Sequence, residues 1–305
     1  MRNDMSATTT IFDQGVKPPG RRGLRSWNLI FLAIAILSVP AARADVSLTF
    51  GLYTSKKPTE MVRLYRPLLN LLEQNLSSEL KEPVEIHLQV AKTYEEGIKA
   101  LVDGTFDFSQ VGPVSYVQAK EKSANLEILA IEGTKGLKVV NGVICVLSNG
   151  PVLKVEDLKG KRFAFGDQFS TTGRYNSQLY LVEHGIRATD LGGFEYLDRH
   201  DRVGAAVAAG DFDAGALNER TFRKLVDGGA SLRALAYFPI DGRPWVARDG
   251  LPTRLRTALQ AALLAVKDPK VLAPIGEEGL VFLSGTDADF DSTRKAVREN
   301  HRFGP

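Results

Sequence analysis

The chain has 305 residues, 44% hydrophobic and 25% charged, with a formal net charge of +3 and a single cysteine, which excludes an internal disulfide. The positive charge belongs to the first 44 residues, where Arg2, Lys17, Arg21, Arg22, Arg25 and Arg43 outweigh Asp4 and Asp13, so the remainder is about −1. Without an aromatic-interleaved basic run or a nucleic-acid motif, that remainder offers no footing for nucleic acid.

The N-terminus has the order of an export signal. Arg21, Arg22 and Arg25 precede the apolar run Leu29–Leu37, and Ala42-Arg43-Ala44 supplies a small-residue cleavage site. Cleavage after Ala44 starts the exported chain at Asp45; a retained anchor is the alternative, although the run is short for a membrane span. Arg21-Arg22-Gly23-Leu24 also loosely fits a twin-arginine signal. The rest is long enough for one large or two modest domains.

Short apolar strands then alternate with amphipathic helices. Val46–Leu52 predicts a strand, and Thr59 predicts the cap of a helix with apolar residues at helical spacing from Met61 to Leu72. Val84–Val90 alternates like a strand, and Thr93-Tyr94-Glu95-Glu96 fits a capping box. A short strand at Phe106–Phe108 leads to Gly112-Pro113 and a helix reaching about Lys122, with strands near 126–131 and 142–147. After Pro151 the rhythm restarts: strands at 162–165, 193–197 and 214–217 alternate with helices at 172–184, 201–209 and 219–227. Trp245–Arg248 is apolar, and the chain from Pro252 reads as mostly helical. Two such series predict an α/β protein of two lobes with mainly parallel sheets.

Sheets of this kind take ligands at the carboxyl ends of their strands. Three segments at such places are rich in hydroxyls: Tyr53-Thr54-Ser55, Gly112-Pro113-Val114-Ser115-Tyr116 and Ser170-Thr171-Thr172-Gly173. At the third, orphan N–H groups and the positive end of a helix dipole accompany the hydroxyls, which suits an oxyanion. A plain helix cap is the alternative for any one of the three; their recurrence favours a binding cleft. His200-Asp201 begins another helix, so His200 is either a capping or packing residue or a ligand contact. The four histidines lack metal-like spacing, so no metal site is expected. The absence of a G-x-S-x-G elbow, a Walker loop, H-E-x-x-H and any spaced nucleophile–base pair argues against an enzyme.

Eight segments, in order, resemble the phosphate/phosphite/phosphonate-type periplasmic solute-binding proteins. They are Phe50–Thr54 with Lys57–Val62, Gly112–Tyr116, Phe163–Asp167 with Ser170–Gly173, Arg199–Val203, Asp213–Ala216 and Pro244–Arg248. The resemblance implies a two-lobed type II periplasmic binding protein fold with ligand closed between the lobes. Residues 45–145 plus 245–305 would form one lobe and 146–244 the other, hinged near 145 and 245. It also implies that Ser170, Thr171 and Thr172 bind an oxyanion from one side, that Tyr53, Thr54 and Tyr116 face it from the other, and that His200 touches the ligand. No cofactor is implied. Asn218 stands where amine-holding relatives carry a carboxylate, which speaks against an ammonium-bearing ligand.

Cys145, in Gly142-Val143-Ile144-Cys145-Val146, allows two roles. It is a small buried hydrophobe, or a soft ligand that captures arsenite while the hydroxyls orient it. The segment resembles the arsenic-oxyanion-sensing (AioX-type) branch of the family, whose partner is a membrane histidine kinase. Arsenite sensing through Cys145 is therefore the leading expectation. The alternative is delivery of phosphite, phosphonate or phosphate to an ABC permease.

Overall fold

The computed structural model describes residues 46–53, 57–276 and 279–304; the expected leader with its cleavage site, and Thr54, lie outside the described residues. The chain opens with β1 (Val46–Tyr53), α1 (Pro58–Leu80), β2 (Val84–Ala91), α2 (Tyr94–Val102), β3 (Phe108–Gln110), α3 (Pro113–Lys122) and β4 (Glu127–Thr134). Alternation along β1 sends Leu48, Phe50 and Leu52 into one apolar cluster with Leu68, Leu69, Leu72 and Leu76 from the inner stripe of α1. That helix begins with Pro58 in its first turn and not with a Thr59 cap, because a missing N–H is harmless there.

A second sheet follows, built from β5 (Val139–Leu147), β6 (Arg162–Phe165), α4 (Asn176–Glu183), β7 (Gly193–Tyr196), α5 (His200–Ala209), β8 (Ala214–Asn218), α6 (Glu219–Asp227) and β9 (Leu232–Asp241). The return passes through β10 (Pro244–Ala247), α7 (Thr253–Ala265), α8 (Pro269–Leu272), β11 (Leu280–Leu283) and α9 (Asp291–Glu299). Strand orders are β11-β4-β10-β3-β1-β2 and β7-β6-β8-β5-β9. Each sheet is packed on both faces, giving two α/β lobes.

Three expectations change here. Parallel pairing is confined to β1 with β2 and β3, and to β6 with β7 and β8. The pairings made by β5, β10 and β11 are antiparallel, so the sheets are mixed. The reason is topological: β5 and β10 arrive from the other lobe at the carboxyl ends of the parallel strands and must run back along them. The lobe boundaries move as well. The chain changes sheet between Thr134 and Val139 and again between Asp241 and Pro244, so β5, including Cys145, lies wholly in the second sheet. Phe303 joins the core of that second lobe, so the C-terminal segment does not belong to the first lobe alone. Finally, β9 and β11 fall where no strand is predicted. Pro239 and the mostly apolar run Ala234–Phe238 hide the alternation of β9, and proline is tolerated there because β9 is an edge strand.

The two crossovers touch. Gly242 N–H donates to the Lys138 carbonyl at 2.6 Å, and Glu132 N–H donates to the Arg243 carbonyl at 2.9 Å. A Cβ on Gly242 would lie 2.0 Å from the Glu132 carbonyl oxygen, so only glycine permits this approach. The start of α9 straps the junction: the hydroxyls of Ser292 and Thr293 each donate to Asp241 at 2.7 Å. Further along α9, Ala296 packs with Val114 of the first lobe and Tyr175 of the second.

Candidate functional site

Strand β6 ends at Phe165, and after a short loop Ser170 opens a helix. The first turn, Thr171–Tyr175, is π-wound and runs directly into α4. The Ser170 carbonyl accepts from Arg174 N–H at 3.1 Å and Tyr175 N–H at 3.3 Å, while Ser170 Oγ accepts from Gly173 N–H at 3.0 Å. The N–H groups of Thr171 and Thr172 are left without an intrahelical acceptor. Gly166 N–H bonds the Gly173 carbonyl at 2.9 Å, and a Cβ on Gly173 would sit 2.8 Å from Gly166 Cα. Glycine is therefore required where the loop closes on the helix.

The first lobe meets this turn with another helix start. Val114 N–H donates to Thr171 Oγ1 at 3.0 Å. Beside it, Gly112 N–H donates to the Tyr53 hydroxyl at 3.3 Å, and that hydroxyl lies 3.2 Å from Ser115 Oγ. The Tyr53 ring packs on Tyr94 with centroids 4.1 Å apart, and the Tyr94 ring in turn lies 6.1 Å from the Phe169 ring, next to Ser170. Two helix N-termini thus meet across the lobes, and both dipoles place positive potential in the same small space. Burial raises the Tyr53 and Tyr94 phenols above their ordinary range, so both remain protonated at neutral pH.

Thr172 is partly exposed, and its hydroxyl is engaged by no other group among the described residues. His200 opens α5, and its Cε1 and Nδ1 lie 3.6 Å from where a Gly166 Cβ would be. Its Nδ1 is buried with no hydrogen-bond partner among the described residues. Burial, aided by the charge of Arg243, holds the imidazole neutral, with its pKa lowered to about 4. A neutral ring with a free nitrogen can accept from, or donate to, a ligand oxygen or substituent.

Tyr53, Ser170, Thr171, Thr172 and His200 are therefore brought together; two other residues expected in the cleft are not. Tyr116 turns to the far side of α3, where its hydroxyl donates to Asp287 at 2.5 Å and its ring packs 4.8 Å from Phe290. One residue along a helix rotates a side chain by about 100°, so Ser115 takes the inward place. Cys145 is fully buried in an apolar cluster with Val203 and Val207 of α5. Its sulfur lies under that helix rather than in the cleft, and burial pushes the thiol up to about 12, far from the thiolate that would capture a metalloid. The small buried hydrophobe is the role that fits. Asn218 Oδ1 accepts from Thr221 N–H at 2.8 Å, so its acceptor serves as the cap of α6.

Three residues escaped sequence reasoning. Tyr94 stands directly after the Thr93 cap, at the carboxyl end of β2, a location that by the strand-end rule could have drawn notice. Ser115 lies inside a segment already singled out, with its neighbour Tyr116 favoured over it. Arg243 sits at the second crossover and has no local signal. Its guanidinium is 3.8 Å from Glu132 Oε2, while Glu132 Oε1 accepts from Gln110 at 2.6 Å and from Trp245 at 3.0 Å.

Two α/β lobes joined by adjacent crossovers, with helix starts meeting between them at the carboxyl ends of strands, define the two-lobed type II periplasmic binding protein fold. The family model for the periplasmic substrate-binding protein of the phosphonate ABC transporter matches residues 50–290, and the chain belongs to that family. Among its relatives is the "Probable ABC transporter phosphite binding protein PhnD1" of Prochlorococcus marinus (strain MIT 9301), 29% identical over 159 residues. That alignment covers 50% of this chain and 53% of the relative, so the match spans about half the relative's length. The structure of PhnD1 from Prochlorococcus marinus in complex with methylphosphonate is similar with a TM-score of 0.68 at 21% identity, covering 83% of this chain and 97% of that one. A binding protein component of an ABC phosphonate transporter from Pseudomonas aeruginosa has a TM-score of 0.69 at 18% identity, covering 85% and 87%. At these identities the structural likeness establishes the fold.

Proposed function

We propose that this protein is the periplasmic substrate-binding component of an ABC importer for a small phosphorus oxyanion of the phosphite, phosphonate or phosphate class. It captures ligand after export and cleavage near Ala44, and hands it to a membrane permease without chemical change. The observation that carries this is the helix start at Ser170, where the N–H groups of Thr171 and Thr172 and the Thr172 hydroxyl are left over after internal bonding. The opposing helix start at Gly112 adds a second positive dipole end, and His200 an unpartnered nitrogen. Family membership and the phosphite and methylphosphonate bound by its relatives favour phosphorus.

Arsenite sensing with a histidine kinase partner depended on a thiol in the cleft. Burial of Cys145 beneath α5 removes that support. A thermal-shift panel of phosphite, methylphosphonate, phosphate and arsenite, on the wild type and on Cys145→Ala, tests the choice. At a concentration 100 times Kd, a ligand stabilises by about 2.7 kcal/mol. A phosphorus anion is expected to raise Tm equally in both proteins. Stabilisation by arsenite alone, lost in Cys145→Ala, would overturn the proposal.

A further inference from the structure

Arg243 is a cation with more hydrogen-bonding capacity than the protein uses. Its carbonyl is held at the crossover by Glu132 N–H, but its side chain is half exposed and makes one long ion pair of 3.8 Å. Glu132 cannot absorb it fully, since Oε1 already accepts from Gln110 and Trp245, and Gln110 is held in turn by the Tyr65 hydroxyl at 3.3 Å. No side-chain hydrogen bond of Arg243 occurs among the described residues. A five-donor guanidinium fork left in that condition is suited to bidentate capture of oxygen anions.

Its place is beside the first-lobe helix start: the carbonyl of the next residue, Pro244, accepts from Val111 N–H at 3.1 Å, one residue before Gly112, and from there its charge acts on Tyr53, Tyr94 and His200. Arg220, at the start of α6, adds positive charge on the Tyr65 side. Two acidic groups face the site: Asp167 on the Tyr94 side, whose carboxylate already accepts from Phe169 N–H at 2.7 Å, and Asp201 beside His200, which is paired with Arg199. Neutral hydroxyls and N–H groups at the two helix starts hold any oxyanion, including one of single charge. A formal cation beside them favours more.

We infer that the cleft selects ligands carrying at least two negative charges, and that Arg243 at the crossover is the residue imposing the selection. This deepens the phosphorus-oxyanion assignment and rests on it. The second charge can lie on a fully ionised phosphorus group or on a carboxylate of the organic substituent; Arg243 would recognise either.

The experiment is calorimetric binding, comparing methylphosphonate with its singly charged monomethyl ester at about pH 8.5, and phosphonoacetate with phosphonoacetamide at about pH 5.5, where each phosphorus group holds mainly one charge and the carboxylate supplies the second. The wild type is expected to favour the more highly charged member of at least one pair by about tenfold. Arg243→Gln should compress that ratio to less than about threefold, and Arg243→Lys should keep most of it. Compression of the first pair places the second charge on phosphorus; compression of the second pair alone places it on the substituent. A ratio unchanged in Arg243→Gln, or no preference in the wild type, overturns the inference. A steric penalty on the ester would survive the substitution and is thereby separated from charge. Should Arg243→Gln strand the Glu132 charge and unfold, the double variant with Glu132→Gln removes both charges and yields the same ratios. Failure of all four phosphorus ligands to bind the wild type would instead remove the proposed function itself, and the inference with it.

Discussion

Compare the helix starts that meet in the cleft. At Gly112–Tyr116, Pro113 has no N–H to offer, Gly112 N–H is taken by Tyr53 and Val114 N–H by Thr171. At Ser170–Tyr175 the serine satisfies one N–H, a π turn bonds two more to one carbonyl, and the donors of Thr171 and Thr172 remain. Each stretch holds a glycine and hydroxyls, but the first spends two donors on closing the lobes and keeps only Ser115 N–H, whereas the second keeps two N–H groups and a hydroxyl for a guest. Hydroxyl content alone therefore does not locate a ligand site; the donors left after internal bonding do.

The sharpest way to break this comparison is to make the same change at each start. A Cβ on Gly173 meets the Gly166 backbone at 2.8 Å, whereas one on Gly112 meets only the movable Tyr53 hydroxyl at 2.9 Å. Gly173→Ala should cost about 2–3 kcal/mol in urea unfolding, and Gly112→Ala less than about 1 kcal/mol. Equal losses would mean that the two starts are not built differently.

Next in size is a pH effect confined to the Ser170 side. The His200 pKa is lowered from 6.5 to about 4 in the folded protein, so the unfolded chain binds the extra proton between those values. Stability from this group is full above about pH 6.5 and is lost as pH falls toward 4, with roughly 2 kcal/mol gone between pH 7 and 5. His200→Gln should flatten that part of the stability–pH curve; an unchanged slope would show that the ring is not held neutral.

The smallest effect separates the two threonines. Thr172→Val should weaken methylphosphonate binding by about 1 kcal/mol while leaving the ligand-free protein within about 0.5 kcal/mol of wild type. Thr171→Val should instead destabilise the ligand-free protein by about 1 kcal/mol, because it leaves Val114 N–H without its acceptor. Reversed outcomes would exchange the roles of latch and ligand donor.

Much of this architecture was legible in the chain because the determinants are local. Short apolar runs revealed β1 and β6, alternation revealed β2, the Thr93 cap announced α2, and α6 was readable to its ends at Glu219 and Asp227. β9 was not legible: Pro239 interrupts it, and its stability comes from pairing with β5 along nearly its whole length. The site divides in the same way. Ser170–Gly173 declares itself as a helix start. Tyr116 misled because a tyrosine in a cleft loop looks functional, yet the helical turn carries it to Asp287 and leaves Ser115 facing Tyr53.

By itself the sequence determined the alternation of strands and helices, the hydroxyl-rich helix starts and the family, since each is written in contiguous residues. Tertiary structure alone decided which side of β5 carries Cys145, because strand side chains alternate and only the packing of α5 defines the inner face. It also decided that the charge of Arg243, remote in sequence from Tyr53, Tyr94 and His200, acts on all three, because the crossovers meet where Gly242 lets two backbones touch.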